Sequence, residues 1–203
     1  DKDHLLAEKY GLALMGADVS SLSEYFHVLS ALEYFAEESG HPELAQAPLL
    51  VMGFSFGGCF AYEFALQHSE RTIGFMSQKS WQLPDSCHSQ QDAGSARLVP
   101  GYFFIGEHDT EEIGNRDTIT RLFEENRSQG ALWALAIEPG AFRTPVRDET
   151  LLSNWMDTVL EARLPETVSP GAPVTLRPMD EASGWLGHQQ SFARAEYGCF
   201  DED

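Results

Sequence analysis

Short apolar runs alternate with longer stretches of helical spacing along the 203-residue chain. That alternation predicts strand–helix units, an α/β fold with a mostly parallel sheet and helices on both faces. Residues 1–10 read as the end of a helix, with Leu5, Leu6 and Lys9 suitably spaced, and Gly11–Gly16 as a strand. Ser21-Leu22-Ser23-Glu24 forms a capping box, which opens a helix by satisfying its first backbone amides. The apolar stripe behind it is Tyr25, Val28, Leu29, Leu32 and Phe35, and Gly40-His41-Pro42 ends it. Pro48–Gly53 is continuously apolar, as a strand buried on both faces requires. A helix over Gly58–His68 then puts Phe60, Ala61, Phe64 and Ala65 on one side, and Thr72–Met76 is a short strand.

Residues 79–99 are irregular, rich in Ser, Gln, Asp and Gly, and carry Trp81. Beyond them the pattern predicts strands at Tyr102–Ile105 and Leu132–Ile137 and a helix opening over Asp117–Glu125. A last helix spans Asp148–Arg163, with Leu151, Leu152, Trp155, Met156, Val159 and Leu160 as its buried face. The chain thus divides into a core over residues 1–163, a linker over 164–174 and a tail over 175–203 whose structure the sequence does not define. No repeat is visible at periods of roughly 20–50 residues.

One motif carries chemistry. Gly53-Phe54-Ser55-Phe56-Gly57 fits G-x-S-x-G, and it stands where a predicted buried strand meets a predicted helix. A strand-to-helix turn of this kind is strained, so the positions around the serine must be small; Gly53, Gly57 and Gly58 are. The turn lifts the Ser55 hydroxyl above the sheet and aims the Phe56 N–H at a developing oxyanion. Phe54 and Phe56 either wall an acyl pocket or pack beneath the turn. Trp81 either contacts substrate or fills the core.

Here the chain resembles the α/β-hydrolase family, and within it bacterial esterases of the polyhydroxybutyrate depolymerase and feruloyl esterase type. APLLVMGFSFGGCFAYEFALQHSER, VPGYFFIGEHDT and ALWALAIEPGAF carry the resemblance, over about residues 1–163. It implies a serine hydrolase for small-molecule or polymeric carboxylic esters, with a triad in the order Ser, acid, His and no cofactor or metal. Ser55 takes the nucleophile position. Asp109 takes the acid position just past the predicted strand Tyr102–Ile105, with Glu107 as the fallback; His108 reads as a surface loop residue.

The family's histidine belongs a few residues past Pro139-Gly140, and the matching position here is Arg143. A guanidinium stays protonated, so it cannot take a proton from a serine. His188 is the one histidine after Asp109 and preserves the order, but it lies in the tail. Two readings follow: an esterase whose base is His188, or a degenerate hydrolase that kept the serine turn as a binding or scaffold protein. In the latter Arg143 would hold an anionic ligand beside Ser55. The resemblance also implies strands before residue 1 that would supply a second oxyanion donor, so the chain reads as a fragment.

Charge narrows the partners. Thirteen Lys and Arg stand against 32 Asp and Glu, for a formal net charge of -19. Such a surface repels phosphate backbones and anionic membranes. Only Lys2, Lys9 and Lys79 are lysines, and an acidic, lysine-poor surface suits a high-salt setting. No apolar run approaches the roughly 18 residues of a membrane span. Cys59, Cys87 and Cys199 form no C-x-x-C pair, which disfavours a zinc site; a single Cys87–Cys199 bridge suits an exported protein. The resemblance leans to a secreted or periplasmic setting, though no basic-then-apolar leader is present. Oligomeric state is not legible.

Overall fold

A computed structural model of the chain describes residues 2–16, 25–80, 92–109, 115–146, 149–169 and 171–179. Four strands, β1 (Leu49–Phe54), β2 (Thr72–Gln78), β3 (Gly101–Gly106) and β4 (Trp133–Glu138), form one sheet in the order β1-β2-β3-β4. All three pairings are parallel. The helices are α1 (Lys2–Tyr10), α2 (Tyr25–Ser39), α3 (Phe56–Gln67), α4 (Asn115–Arg127) and α5 (Glu149–Arg163).

Side-chain alternation along β3 shows how the layers arise. Phe103 and Ile105 point into a core with α3, Val28 of α2 and Ile119 and Leu122 of α4. Tyr102 and Phe104 point the other way, into a core with Trp155, Met156, Val159 and Leu160 of α5 and with Leu6 and Tyr10 of α1. Successive residues of a strand face opposite sides, so an apolar strand feeds two cores at once. The first core is dense in aromatic rings: Tyr62, Phe75, Phe103 and Trp133 meet with centroids 5.5 to 5.8 Å apart. The Trp133 indole N–H donates to the Ala96 carbonyl at 3.2 Å, which satisfies the polar edge of a buried ring.

Several expectations need correction. Gly11–Gly16 is not a strand: after Gly11, at φ 65°, the chain runs on without a sheet partner, and Leu14 and Met15 are exposed. A strand needs a neighbour for its backbone, and the described sheet ends at β1. Nor is β1 buried on both faces: Met52 and Phe54, which share one face, are each 39% exposed, and the strand is the edge of the described sheet. The buried stripe of α2 is Val28, Leu32 and Ala36, while Phe35 is exposed. Helix α3 is buried all round from Gly58 to Ala65, not on one side, because sheet, α2 and the 92–99 segment enclose it. Leu151 of α5 is exposed, whereas the other five predicted core positions of that helix are buried. Cys59 is disulfide-bonded, so the one internal bridge that three cysteines allow does not pair Cys87 with Cys199. The Ser21–Glu24 capping box lies outside the described residues.

After α5 the chain stays against the domain. Leu164 and Leu176 pack on the second core, and the Arg177 N–H donates to the Arg163 carbonyl at 2.8 Å. Arg163, itself buried, donates to the Thr72 and Ile73 carbonyls at the start of β2. No helix among the described residues is long and apolar enough to cross a membrane.

Candidate functional site

Parallel strands bring all their carboxyl ends to one edge, and ligands of such sheets bind outside that edge. Here the edge gathers Ser55 after β1, Lys79 and Ser80 after β2, Glu107–Asp109 after β3, and Glu138 at the end of β4 with the loop to Arg143 behind it.

Ser55 has φ 55° and ψ −115°. For a residue with a Cβ this conformation is costly and persists only where the surroundings enforce it. The enforcement is visible. A Cβ on Gly53 would lie 2.0 Å from the carbonyl carbon and oxygen of Gly57, so the strand and the first turn of α3 touch backbone to backbone. A Cβ on Gly58 would meet the Ser80 side chain at 2.9 Å and the Gln78 nitrogen at 3.1 Å. Gly57 differs: a Cβ there would meet nothing within 4 Å. The close approach therefore needs glycine at 53 and 58, not at 57. The Ser55 N–H donates to the Gln78 carbonyl at 2.9 Å, and the Ser55 carbonyl accepts from Gly58 at 3.1 Å. Phe56 begins α3, so its N–H has no carbonyl one turn earlier in the helix to bond. That amide sits at the positive end of the helix dipole.

Asp109 is buried and closes the turn after β3, its N–H donating to the Gly106 carbonyl at 3.2 Å. Its own carbonyl accepts from Arg116, at the start of α4. Glu107, the fallback acid, has other work: its carboxylate accepts from the Gly140 N–H at 2.7 Å, which staples the loop after β3 to the loop after β4. The His108 ring is exposed and lies 5.2 Å from the Phe142 ring.

The loop after β4 is held close. The His108 N–H donates to the Ala141 carbonyl at 2.9 Å, and a Cβ on Gly106 would stand 2.5 Å from that oxygen. Arg143 follows directly and is half-buried. Its loop thus abuts the one that carries Asp109. Phe54, 39% exposed, and Phe142, 61% exposed, give the edge an apolar lining. Trp81 and His188 lie outside the described residues.

Sequence reasoning missed Lys79. Its side chain is fully buried, its φ is 44°, and its ammonium pairs with the Glu138 carboxylate. A lysine just after an apolar strand reads as a solvated loop residue; only the topology, which puts β2 two strands from β4, brings it to Glu138. Ser77 and Ser80, both buried, share a hydroxyl–hydroxyl bond of 3.0 Å beside it. Among the described residues no group of three or more His, Cys, Asp or Glu side chains is placed to hold a metal ion.

No protein-family model matches the chain, and no curated protein does. Solved structures do. A variant of SOBER1 from Arabidopsis thaliana superposes with a TM-score of 0.51 at 19% identity, over 71% of this chain and 68% of that one. Esterase PE8 superposes with a TM-score of 0.51 at 16% identity, over 68% of this chain and 60% of its own. At such identities the likeness is one of fold. The four parallel strands and the helices on both faces are part of an α/β-hydrolase fold.

Proposed function

We propose that this chain is a serine hydrolase acting on carboxylic esters, with Ser55 as nucleophile, Asp109 as the acid and His188 as the base. The observation that carries this is the backbone of Ser55 at φ 55° and ψ −115°, at the mouth of α3. Strain of this kind concentrates at functional sites, and a serine that only ends a strand needs none of it. PE8, which shares the fold, is an esterase, and this supports the reading.

The Ser55 hydroxyl would attack the ester carbonyl while the imidazole takes its proton. Negative charge would gather on the carbonyl oxygen, facing the Phe56 N–H at the amino end of α3. Collapse would expel the alcohol with the proton returned by the imidazole, and water would then release the acyl group by the same steps. Asp109 would fix the imidazole's tautomer. The chemistry asks for no metal or organic cofactor. Exposed Phe54 and Phe142 favour an apolar acyl or phenolic group over a charged one.

The test is hydrolysis of p-nitrophenyl butyrate by the chain beside Ser55→Ala, Asp109→Asn and His188→Ala. The proposal expects turnover that vanishes in Ser55→Ala and falls by about 10⁴-fold or more in the other two. Turnover unaffected by Ser55→Ala would overturn it, and turnover unaffected by His188→Ala would remove His188 from the mechanism.

A further inference from the structure

We infer that Lys79 is a positioning residue: its ion pair with Glu138 braces the Ser55 turn against the two loops after β3 and β4. The inference rests on the serine-hydrolase reading for its effect on rate, and on geometry alone for its effect on structure.

Lys79 is unusual twice over. It is a non-glycine residue at φ 44°, and its side chain is 0% exposed. A left-handed backbone disfavours residues with a Cβ, and a buried lysine forgoes its hydration. An apolar residue at this position would avoid the second cost, and a glycine the first. Both costs fall next to Gln78, whose carbonyl accepts the Ser55 N–H.

The connections run outward from there. The Lys79 N–H donates to the Phe104 carbonyl at 2.6 Å, one step past the last β2–β3 pair. Its side chain then crosses β3 to Glu138 on β4. Two strand spacings are about 10 Å, a span that a lysine and a glutamate cover together and that shorter side chains do not. The Glu138 carbonyl accepts from the Glu107 N–H at 3.1 Å and from the Ala141 N–H at 3.3 Å. The Glu107 carboxylate in turn accepts from Gly140 at 2.7 Å. One ion pair, fully buried at its lysine end, therefore joins the Gln78 carbonyl under Ser55, the turn leading to Asp109 and the loop leading to Arg143.

The experiment separates bracing from mere stability. Removing the Glu138 charge leaves the Lys79 ammonium buried without its carboxylate, which destabilises the fold; removing both charges relieves that penalty. Three full-length variants serve: Lys79→Met, Glu138→Gln, and the double variant Lys79→Met with Glu138→Met. Thermal unfolding is read beside amide hydrogen exchange at Ser55, Glu107 and Phe75, and beside kcat and KM for p-nitrophenyl butyrate. The expected result is a double variant whose Tm returns close to that of the parent. Its Ser55 and Glu107 amides still exchange at least 10-fold faster, Phe75 does not change, and kcat is at least 10-fold lower at similar KM. A double variant that regains Tm and shows parental exchange at Ser55 and Glu107 would overturn the inference. If the parent hydrolyses nothing, the hydrolase reading fails while the exchange rates still decide the brace.

Discussion

The Ser55 N–H donates to the Gln78 carbonyl across 2.9 Å, so the turn that carries the candidate nucleophile is tied to the end of the neighbouring strand. Its own helix does not supply that acceptor. The β1–β2 register pairs Phe54 with Gln78, and this bond extends the ladder by one step into the turn. The conformation of Ser55 is thus enforced from two sides, by the contact between Gly53 and Gly57 and by the end of β2.

The two glycines that flank Ser55 in the motif should respond oppositely to alanine. Gly53→Ala drives a methyl group into the Gly57 carbonyl at 2.0 Å, backbone against backbone, with no side chain to yield. A loss of about 3 kcal/mol or more is expected in urea unfolding. Gly57→Ala adds a methyl that meets nothing within 4 Å, inside a helix where alanine is favoured by up to about 1 kcal/mol. It should be neutral or stabilising. Equal losses in the two variants would show that the turn is not built as described.

Arg143→His tests where the base resides. With His188 as base, a second imidazole on the β4 loop adds nothing, and p-nitrophenyl butyrate turnover should stay within about threefold of the parent. A general base contributes about 10²–10⁴-fold. A rise of that size in Arg143→His would mean that the parent lacks a base and that the loop after β4 is where one belongs.

The α/β layering was legible in the chain because each core strand is a short apolar run bounded by turn residues. Strands β2, β3 and β4 fall within about two residues of their expected ends. Burial was less legible. The PLLVMG run reads as buried on both faces because it is continuously apolar, yet Met52 and Phe54 on one face are each 39% exposed, since apolar composition does not say that a layer covers the face. Phe35 and Leu151 follow helical spacing yet are exposed, since periodicity gives a stripe's direction and not its width. At the candidate site the serine turn was readable because its glycines are contiguous with it. Lys79 and Glu138 were not, because 59 residues separate them and no local pattern marks a pair made across a sheet.

Alkaline pH should unfold the protein through its buried phenols. Burial pushes the Tyr102 hydroxyl up to about 12, and burial pushes Tyr62 up as well, helped by the neighbouring Glu63 carboxylate. A phenol whose pKa is raised on folding contributes no penalty below its unfolded value near 10. Above that the unfolded chain ionises and the folded one does not, so stability falls from about pH 10 up to the folded pKa. Absorbance at 295 nm should therefore show a fraction of the six tyrosines ionising only with the loss of near-ultraviolet circular dichroism. A smooth titration of all six near pH 10, with the fold intact, would contradict the burial of Tyr62 and Tyr102.

Salt should stabilise the fold. A net charge of -19 makes the compact state repel itself, and unfolding relaxes that repulsion by spreading the charges apart. Raising sodium chloride from 0.05 M to 1 M shortens the screening length to about 3 Å, below the spacing of most surface carboxylates. The opposing effect is small: Lys9 and Asp157, paired at 2.6 Å between α1 and α5, are exposed, and such a pair contributes about 0–1 kcal/mol before screening. Net stabilisation of about 1–2 kcal/mol would raise Tm by about 2–8 °C for a domain of this size. Lys9→Ala separates the two effects. It removes the pair and one of thirteen cations, so it should lower Tm slightly in dilute buffer and leave the salt-induced rise intact or steeper. A Tm that stays flat or falls with salt in the parent would mean that the acidic surface is already compensated by local pairing.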